Sequence, residues 1–299
     1  MNPVTQYLMR SLMFVPAHNE RLMESAVRCN PDVYLLDLED SVQPVGNKII
    51  ARENIIKYVQ QGKFTNNLIF PRINDRESGE LLKDLTALTI PGIEGFMCPK
   101  SVSGDDIYFM DKLLETIEYE KDIPVGTFKL IPLIETAGAV LNAQEICQAS
   151  KRVVAIAFGC EDFVTDLEGR HDSGGQSIFT PRAIIAMAAR ANKVIPIDTV
   201  HINVHDFNDL ERNLQIAKNL GFEGMLILNP KELPLAHEYF SPSQKEIADA
   251  NEMVSLAAKA YSEGKGVSVF KDKFVGPPMV NAAKKILEKN YLIQERLKS

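Results

Sequence analysis

The chain has 299 residues, 45% of them hydrophobic, and a formal net charge of -7. An acidic chain without a Lys/Arg run argues against nucleic acid as a partner, and no stretch approaches the roughly 18 consecutive apolar residues of a membrane span. Cys29, Cys98, Cys147 and Cys160 are widely spaced, with no CxxC and only scattered histidines; this predicts reduced thiols in a cytoplasmic protein rather than a zinc site or a disulfide framework. The opening MNPVTQYLMR has no apolar core of a signal peptide.

Short apolar runs alternate with amphipathic ones. The first strand is expected at 11–17 (SLMFVPA), and a helix at 20–29 follows the loop that carries His18. The second strand, 32–40 (DVYLLDLED), ends in a cluster of acids and leads to a helix at 47–60. Strands at 67–74 (NLIFPRIN) and 95–100 (GFMCPK) flank a helix at 79–89. A helix at 104–119 precedes the strand at 128–136 (FKLIPLIET), and a helix at 138–149 precedes the strand at 153–162 (VVAIAFGCED). A helix at 180–192 precedes the strand at 194–202, and a helix at 206–220 precedes the last strand, 223–230. Strands that are apolar on both faces suit a parallel sheet covered by helices. Eight strands with seven intervening helices in about 230 residues match a (β/α)8 TIM barrel of the α/β class. A doubly wound open sheet would give a similar pattern, but the first strand–helix turn lacks GxGxxG. The barrel is expected over 1–235. Residues 236–299 are expected as a C-terminal helical extension: helices at 247–266 and 279–297 around an irregular segment or short hairpin, closing the barrel or packing on a neighbouring subunit.

In such a barrel, chemistry sits where strands end. The ends read Asp37, Glu39 and Asp40; Arg72 and Asn74; Lys100; Glu135 and Thr136; Glu161 and Asp162; Asp198. Glu135 and Asp162 are 27 positions apart (162 − 135), one βαβ unit, which places them on neighbouring strand ends. Two hard carboxylates with room for water suit Mg²⁺ or Mn²⁺; equally, each carboxylate would cap the helix that follows it. Arg72 offers a planar fork to a carboxylate or a developing enolate, or it pairs with Asp37, Glu39 or Asp40. Those acids repel one another unless cations lie nearby, and they are also placed to take hydrogen bonds from metal-bound water. Lys48 and Arg52, one helical turn apart, are expected on a solvated face. GRHDSGGQS (169–177) is expected as a mobile loop, a candidate lid over the site, and it is not a P-loop.

Together RSLMFVPAHNER (10–21), YLLDLEDSVQP (34–44), FPRIN (70–74), CPK (98–100), PLIETAGAVLN (132–142), FGCEDFVTDL (158–167) and LGFEGMLILNP (220–230) resemble the HpcH/HpaI aldolase and citrate lyase β-subunit (CitE-like) superfamily. The resemblance covers nearly the whole chain. It implies an oligomeric TIM barrel, commonly a trimer or hexamer. It also implies a Mg²⁺-dependent carbon–carbon lyase acting on citramalyl-CoA, malyl-CoA or citryl-ACP, with an acyl-CoA or acyl-carrier-protein thioester as partner. On it, Glu135 and Asp162 are metal ligands and Arg72 contacts substrate and enolate. Phe14, Arg21, Leu228 and Asn229 lie near substrate or carrier. Three departures matter. The family's C-terminal Asp, in a GKMVDAP-like segment, aligns with Gly276 in FVGPPMV, where Asp272 is a substitute in the wrong register. IHP reads LNP at 228–230, and VPG reads VPA, ending in Ala17. The alternatives are therefore an aldolase on free 2-keto acids, or a non-catalytic CitE-like subunit of a complex.

Overall fold

A computed structural model describes residues 7–64, 66–172, 174–264, 266–271 and 273–298. The elements run β1 (Ser11–Pro16), α1 (Glu20–Ala26), β2 (Val33–Asp37), α2 (Asn47–Gln60), β3 (Leu68–Ile69), α3 (Leu81–Leu88), β4 (Gly95–Cys98) and α4 (Gly104–Glu120). There follow β5 (Lys129–Ile134), α5 (Ala137–Leu141), α6 (Ala143–Gln148), β6 (Ala155–Phe158), α7 (Cys160–Asp166), α8 (Gln176–Asn192), β7 (Ile195–Asp198), α9 (Phe207–Leu220) and β8 (Gly224–Ile227). A 3₁₀ turn (Pro230–Glu232) then leads to α10 (Leu233–Phe240), α11 (Gln244–Ser262), β9 (Ser268–Phe270), β10 (Lys273–Val275) and α12 (Pro277–Lys298).

The first eight strands form one parallel sheet in the order β3-β2-β1-β8-β7-β6-β5-β4. The seam between β3 and β4 is closed by backbone bonds. Glu94 N–H donates to the Ile69 carbonyl at 3.0 Å and Met97 N–H to that of Pro71 at 2.9 Å, while Ile73 N–H reaches the Met97 carbonyl at 3.2 Å. The sheet is thus a barrel, and the open-sheet alternative does not hold. Its interior is filled by every second strand residue, Val33 and Leu35, Ile131 and Leu133, Ala155 and Ala157, Ile195 and Ile197, as the two-residue period of a strand requires. At Gly224 a Cβ would lie 1.8 Å from the Met9 carbonyl oxygen, so only glycine lets these backbones meet.

Several expected boundaries move. β3 is two residues long because Pro71 has no N–H for the ladder, yet Arg72 rejoins it, bridging Asp37 on one side and Met97 on the other. The strand expected over 153–162 stops at Phe158, and α7 begins at Cys160, so Asp162 stands in the first turn of a helix and not on a strand end. The expected helix 138–149 is two, broken at Asn142, whose amide donates to the Val102 carbonyl at 3.0 Å. α8 starts at Gln176, inside the expected loop 169–177, because the Asp172 carboxylate accepts the N–H groups of Gly174, Gln176 and Ser177. Lys48 and Arg52 are not solvated. Both are buried, Lys48 on Asn74 Oδ1 and Arg52 between Glu80 (2.9 Å) and Asp84 (2.7 Å). α7 and α10 are helices the sequence reading did not anticipate.

The chain divides into two compact units, Met1–Ala236 and His237–Ser299. In the second unit, α11 opens with a capping box between Ser243 and Glu246. β9 and β10 pair as an antiparallel hairpin, Phe274 opposite Val269. Phe270 and Val275 point into a small core with Ala257 and Val280. Asp272 lies outside the described residues. No helix among the described residues is long and apolar enough to cross a membrane.

Candidate active site

Glu135 follows β5 and is buried. It does not cap the next helix: Thr136 does, its Oγ1 accepting Ala139 N–H at 3.1 Å. Instead Glu135 Oε1 accepts the backbone N–H of Lys100 at 2.5 Å from the neighbouring strand end. Lys100 holds φ at 50°, a left-handed conformation disfavoured for a side chain with a Cβ. Strain of this kind concentrates at functional sites. Behind Glu135 the backbone must be glycine, because a Cβ on Gly159 would lie 2.8 Å from Glu135 Cβ and 3.2 Å from its Oε2.

Asp162 is exposed in the first turn of α7, near enough for its charge to act on Glu135. The cap position of that helix is Gly159, which makes no side-chain cap bond. Burial pushes the Glu135 carboxyl up to about 7; the Lys100 N–H pulls it down, and the Asp162 charge raises it again. Two facing carboxylates, neither used as a cap, are a hard oxygen donor set, and the residues fit Mg²⁺.

Arg72 lies beside them, half-buried, with a fork on Asp37: Nε to Oδ1 at 2.6 Å and Nη2 to Oδ2 at 2.8 Å. Its Nη1 stands 3.0 Å from Glu39 Oε2 and donates to Asp40 Oδ2 at 3.3 Å. The Phe14 ring covers the guanidinium, 4.9 Å from its centroid. Lys100 Nζ bonds Asp75 at 2.5 Å and lies 3.4 Å from Glu39 Oε1. The cations that the acidic cluster needs are therefore Arg72 and Lys100. Asp37 is buried, which alone would raise its carboxyl, but the Arg72 charge and hydrogen bonds hold it below the usual range. Glu39 is pushed up to about 8 by burial, against Arg72 and reinforced by Asp40, Glu135 and Asp37.

Phe14, Asp37, Glu39, Asp40, Arg72, Glu135 and Asp162 are thus brought to one place. Arg21 is exposed on α1 and Leu228 is exposed after β8. Asn229 caps the 3₁₀ turn, its Oδ1 accepting Lys231 N–H at 3.1 Å. The sequence reading missed Gly159, and the GCED spacing after an apolar strand was the available signal. It also missed Glu232, wholly buried after β8 and pushed up to about 7 by burial, which no motif marked.

A closed (β/α)8 barrel with paired carboxylates and an arginine at its mouth defines a class built for metal-assisted chemistry on small oxyanions. Residues 10–230 match the HpcH/HpaI aldolase/citrate lyase family, and the chain belongs to it. The citrate lyase subunit beta of Haemophilus influenzae is 30% identical over 94% of this chain and 97% of that protein. The L-malyl-CoA/beta-methylmalyl-CoA lyase of Rhodobacter capsulatus is 30% identical over 95% of each. Among solved structures, CitE of Mycobacterium tuberculosis in complex with magnesium, acetoacetate and coenzyme A aligns with a TM-score of 0.70 at 26% identity, covering 93% of this chain and 97% of that one. A citrate lyase from Burkholderia xenovorans aligns at 0.82 over 98% of this chain and 94% of that one; at 19% identity it speaks for the fold alone.

Proposed function

We propose that this chain is a Mg²⁺-dependent carbon–carbon lyase that cleaves a hydroxyacyl-CoA into an acetyl thioester and a 2-keto acid, with Glu135 and Asp162 as ligands of the ion. The observation that carries this is Glu135 itself: a buried carboxylate, not a helix cap, facing a second carboxylate. The names of the two lyase relatives and the Mg²⁺ and coenzyme A of the mycobacterial structure support it. Bound there, the ion supplies Lewis acidity to the substrate oxygens.

The chain's own residues do the rest. Arg72 stays charged, and Asp37 and the Phe14 ring fix the plane of its guanidinium. Its weakest partner is Asp40, exposed and at 3.3 Å, so an anionic substrate oxygen displaces Asp40 and takes Nη1. There the same N–H stabilises the enolate left by C–C cleavage. The hydroxyl loses one proton and the acetyl carbon gains one, so the cleavage is redox-neutral. Arg21, Leu228 and Asn229 would meet the thioester carrier. On the hairpin, Val269 and Phe274 form an exposed apolar pair, 56% and 76% accessible; they support packing of the second unit on another copy of the chain. Four unpaired cysteines agree with a cytoplasmic setting.

Incubation with Mg²⁺, acetyl- or propionyl-CoA, and pyruvate, glyoxylate or oxaloacetate in turn should give a condensed hydroxyacyl-CoA by mass spectrometry. The product should vanish with EDTA and in Glu135→Gln. A fully active Glu135→Gln variant would refute the assignment. Gly276 favours the second reading, a non-catalytic subunit: Mg²⁺ and CoA bound with no product from any pair is its signature. Condensation without CoA would instead mark an aldolase on free keto acids.

A further inference from the structure

At the start of α7, three side chains of different chemistry converge. Cys160 Sγ lies 3.4 Å from Glu161 Oε1, and that oxygen lies 2.8 Å from His171 Nε2. One donor atom from each residue falls within 4.8 Å of the other two. Cys160 is buried at the start of α7, Glu161 is exposed beside it, and His171 comes from the loop before α8. Cys160 and His171 also line a cavity of about 250 Å³ between the ends of β6 and β7 and helices α8 and α9. We propose that Cys160, Glu161 and His171 form a second metal site, specific for a borderline-soft divalent ion such as Zn²⁺ and distinct from the Glu135–Asp162 pair.

The donor set decides the ion. Thiolate and imidazole suit Zn²⁺ and are poor ligands for Mg²⁺. With bonds of about 2.0–2.3 Å, the corners of a tetrahedral zinc site lie roughly 3.3–3.8 Å apart. The S···O separation already matches. The N···O separation is that of a hydrogen bond, which opens when the ion replaces the shared proton. The cavity leaves room for water as the fourth ligand. On binding, the thiol proton goes to solvent, and thiolate plus carboxylate balance the two charges of the ion. Adjacent helical residues diverge by about 100°. Glu161 can therefore serve this site while Asp162 serves the other. The spacing C-E-x9-H is no recognised zinc motif, and for that reason the sequence alone argued against zinc.

The test uses Co²⁺ as an optical stand-in for Zn²⁺, titrated into the whole protein in saturating Mg²⁺. A thiolate-to-cobalt charge-transfer band in the near ultraviolet should saturate at one ion per chain and be displaced by Zn²⁺. Cys160→Ser should remove the band. His171→Ala, a surface change that leaves the core untouched, should weaken Co²⁺ binding about tenfold or more. Glu135→Gln should leave the band intact, whatever it does to turnover. The proposal falls if the wild type gives no band, if the band survives Cys160→Ser, if His171→Ala leaves it unchanged, or if Glu135→Gln abolishes it.

Discussion

Two arginine–aspartate forks stand at the strand ends of the barrel, separated by β1 and β8, and they are used differently. Arg72 grips Asp37 at the end of β2, and Arg182 grips Asp198 at the end of β7, Nε to Oδ1 at 3.0 Å and Nη2 to Oδ2 at 2.5 Å. Arg182 is buried and Arg72 is half-buried. Around Arg72 every direction is filled: two more carboxylates reach Nη1 and an aromatic ring covers the face. Around Arg182, Nη2 also donates to the Asn213 carbonyl at 3.1 Å, while Nη1 is buried without a hydrogen-bond partner and the side chain lines the cavity. The same local motif sits among crowded carboxylates in one place and beside a roomy polar cavity in the other. What differs is not the fork but the supply of neighbouring carboxylates, three within four residues on the DLED segment.

The largest expected effects come from removing either arginine. Arg72→Ala leaves Asp37 buried and unpaired, and Arg182→Ala does the same to Asp198; each should cost about 3–5 kcal/mol of stability in denaturant unfolding. Assayed well below both melting temperatures, only Arg72→Ala should lose lyase turnover by a hundredfold or more, on the order of one lost anion-stabilising donor. Equal activity losses in the two variants would erase the distinction between the forks.

The next effect sits on the boundary between the two sides. Gly159→Ala places a methyl 2.8 Å from Glu135 Cβ. The carboxylate must shift, and a misplacement of about 1 Å costs roughly a hundredfold in rate. Mg²⁺ affinity measured calorimetrically should fall together with turnover, while Co²⁺ binding at Cys160, Glu161 and His171 should change little. Unchanged Mg²⁺ affinity would show that Glu135 does not need its observed position.

Much of this architecture was legible because it depends on local pattern. Strands buried on both faces and the LIETA and GCEDF segments placed β5, β6 and both proposed metal ligands to within a turn. What stayed hidden depends on partners distant in sequence. Lys48 and Arg52 read as a solvated pair, yet both are buried, Lys48 on Asn74 and Arg52 between Glu80 and Asp84. Asp162 was misplaced by an element, since only Gly159 marks where the strand stops. The cavity at β6–β7 draws Cys160, His171 and Arg182 from three segments, so no single window of sequence contains it.

The smallest predicted effect concerns pH, and it reads the crowded side directly. Glu135 is pushed up to about 7 and Glu39 to about 8, from an ordinary value near 4.5. Both bind a proton more tightly in the folded than in the unfolded chain. Their protonated forms therefore add stability that is fully present below about pH 4.5 and lost as pH rises through 7 and 8. The metal-free protein should melt at least about 3 °C lower at pH 8 than at pH 5.5. Glu232, raised to about 7 by burial on the β8 side, contributes to the same fall. The slope alone therefore does not isolate the site, but the difference between wild type and Glu135→Gln does, because the amide has no proton to lose. Mg²⁺ should reverse the trend in the wild type, since its ligands must be ionised to bind it. Added Mg²⁺ should raise the melting temperature more at pH 8 than at pH 5.5. An identical slope in Glu135→Gln, or a Mg²⁺ effect indifferent to pH, would mean that the carboxylate crowding at Arg72 is structural and not a prepared place for a cation.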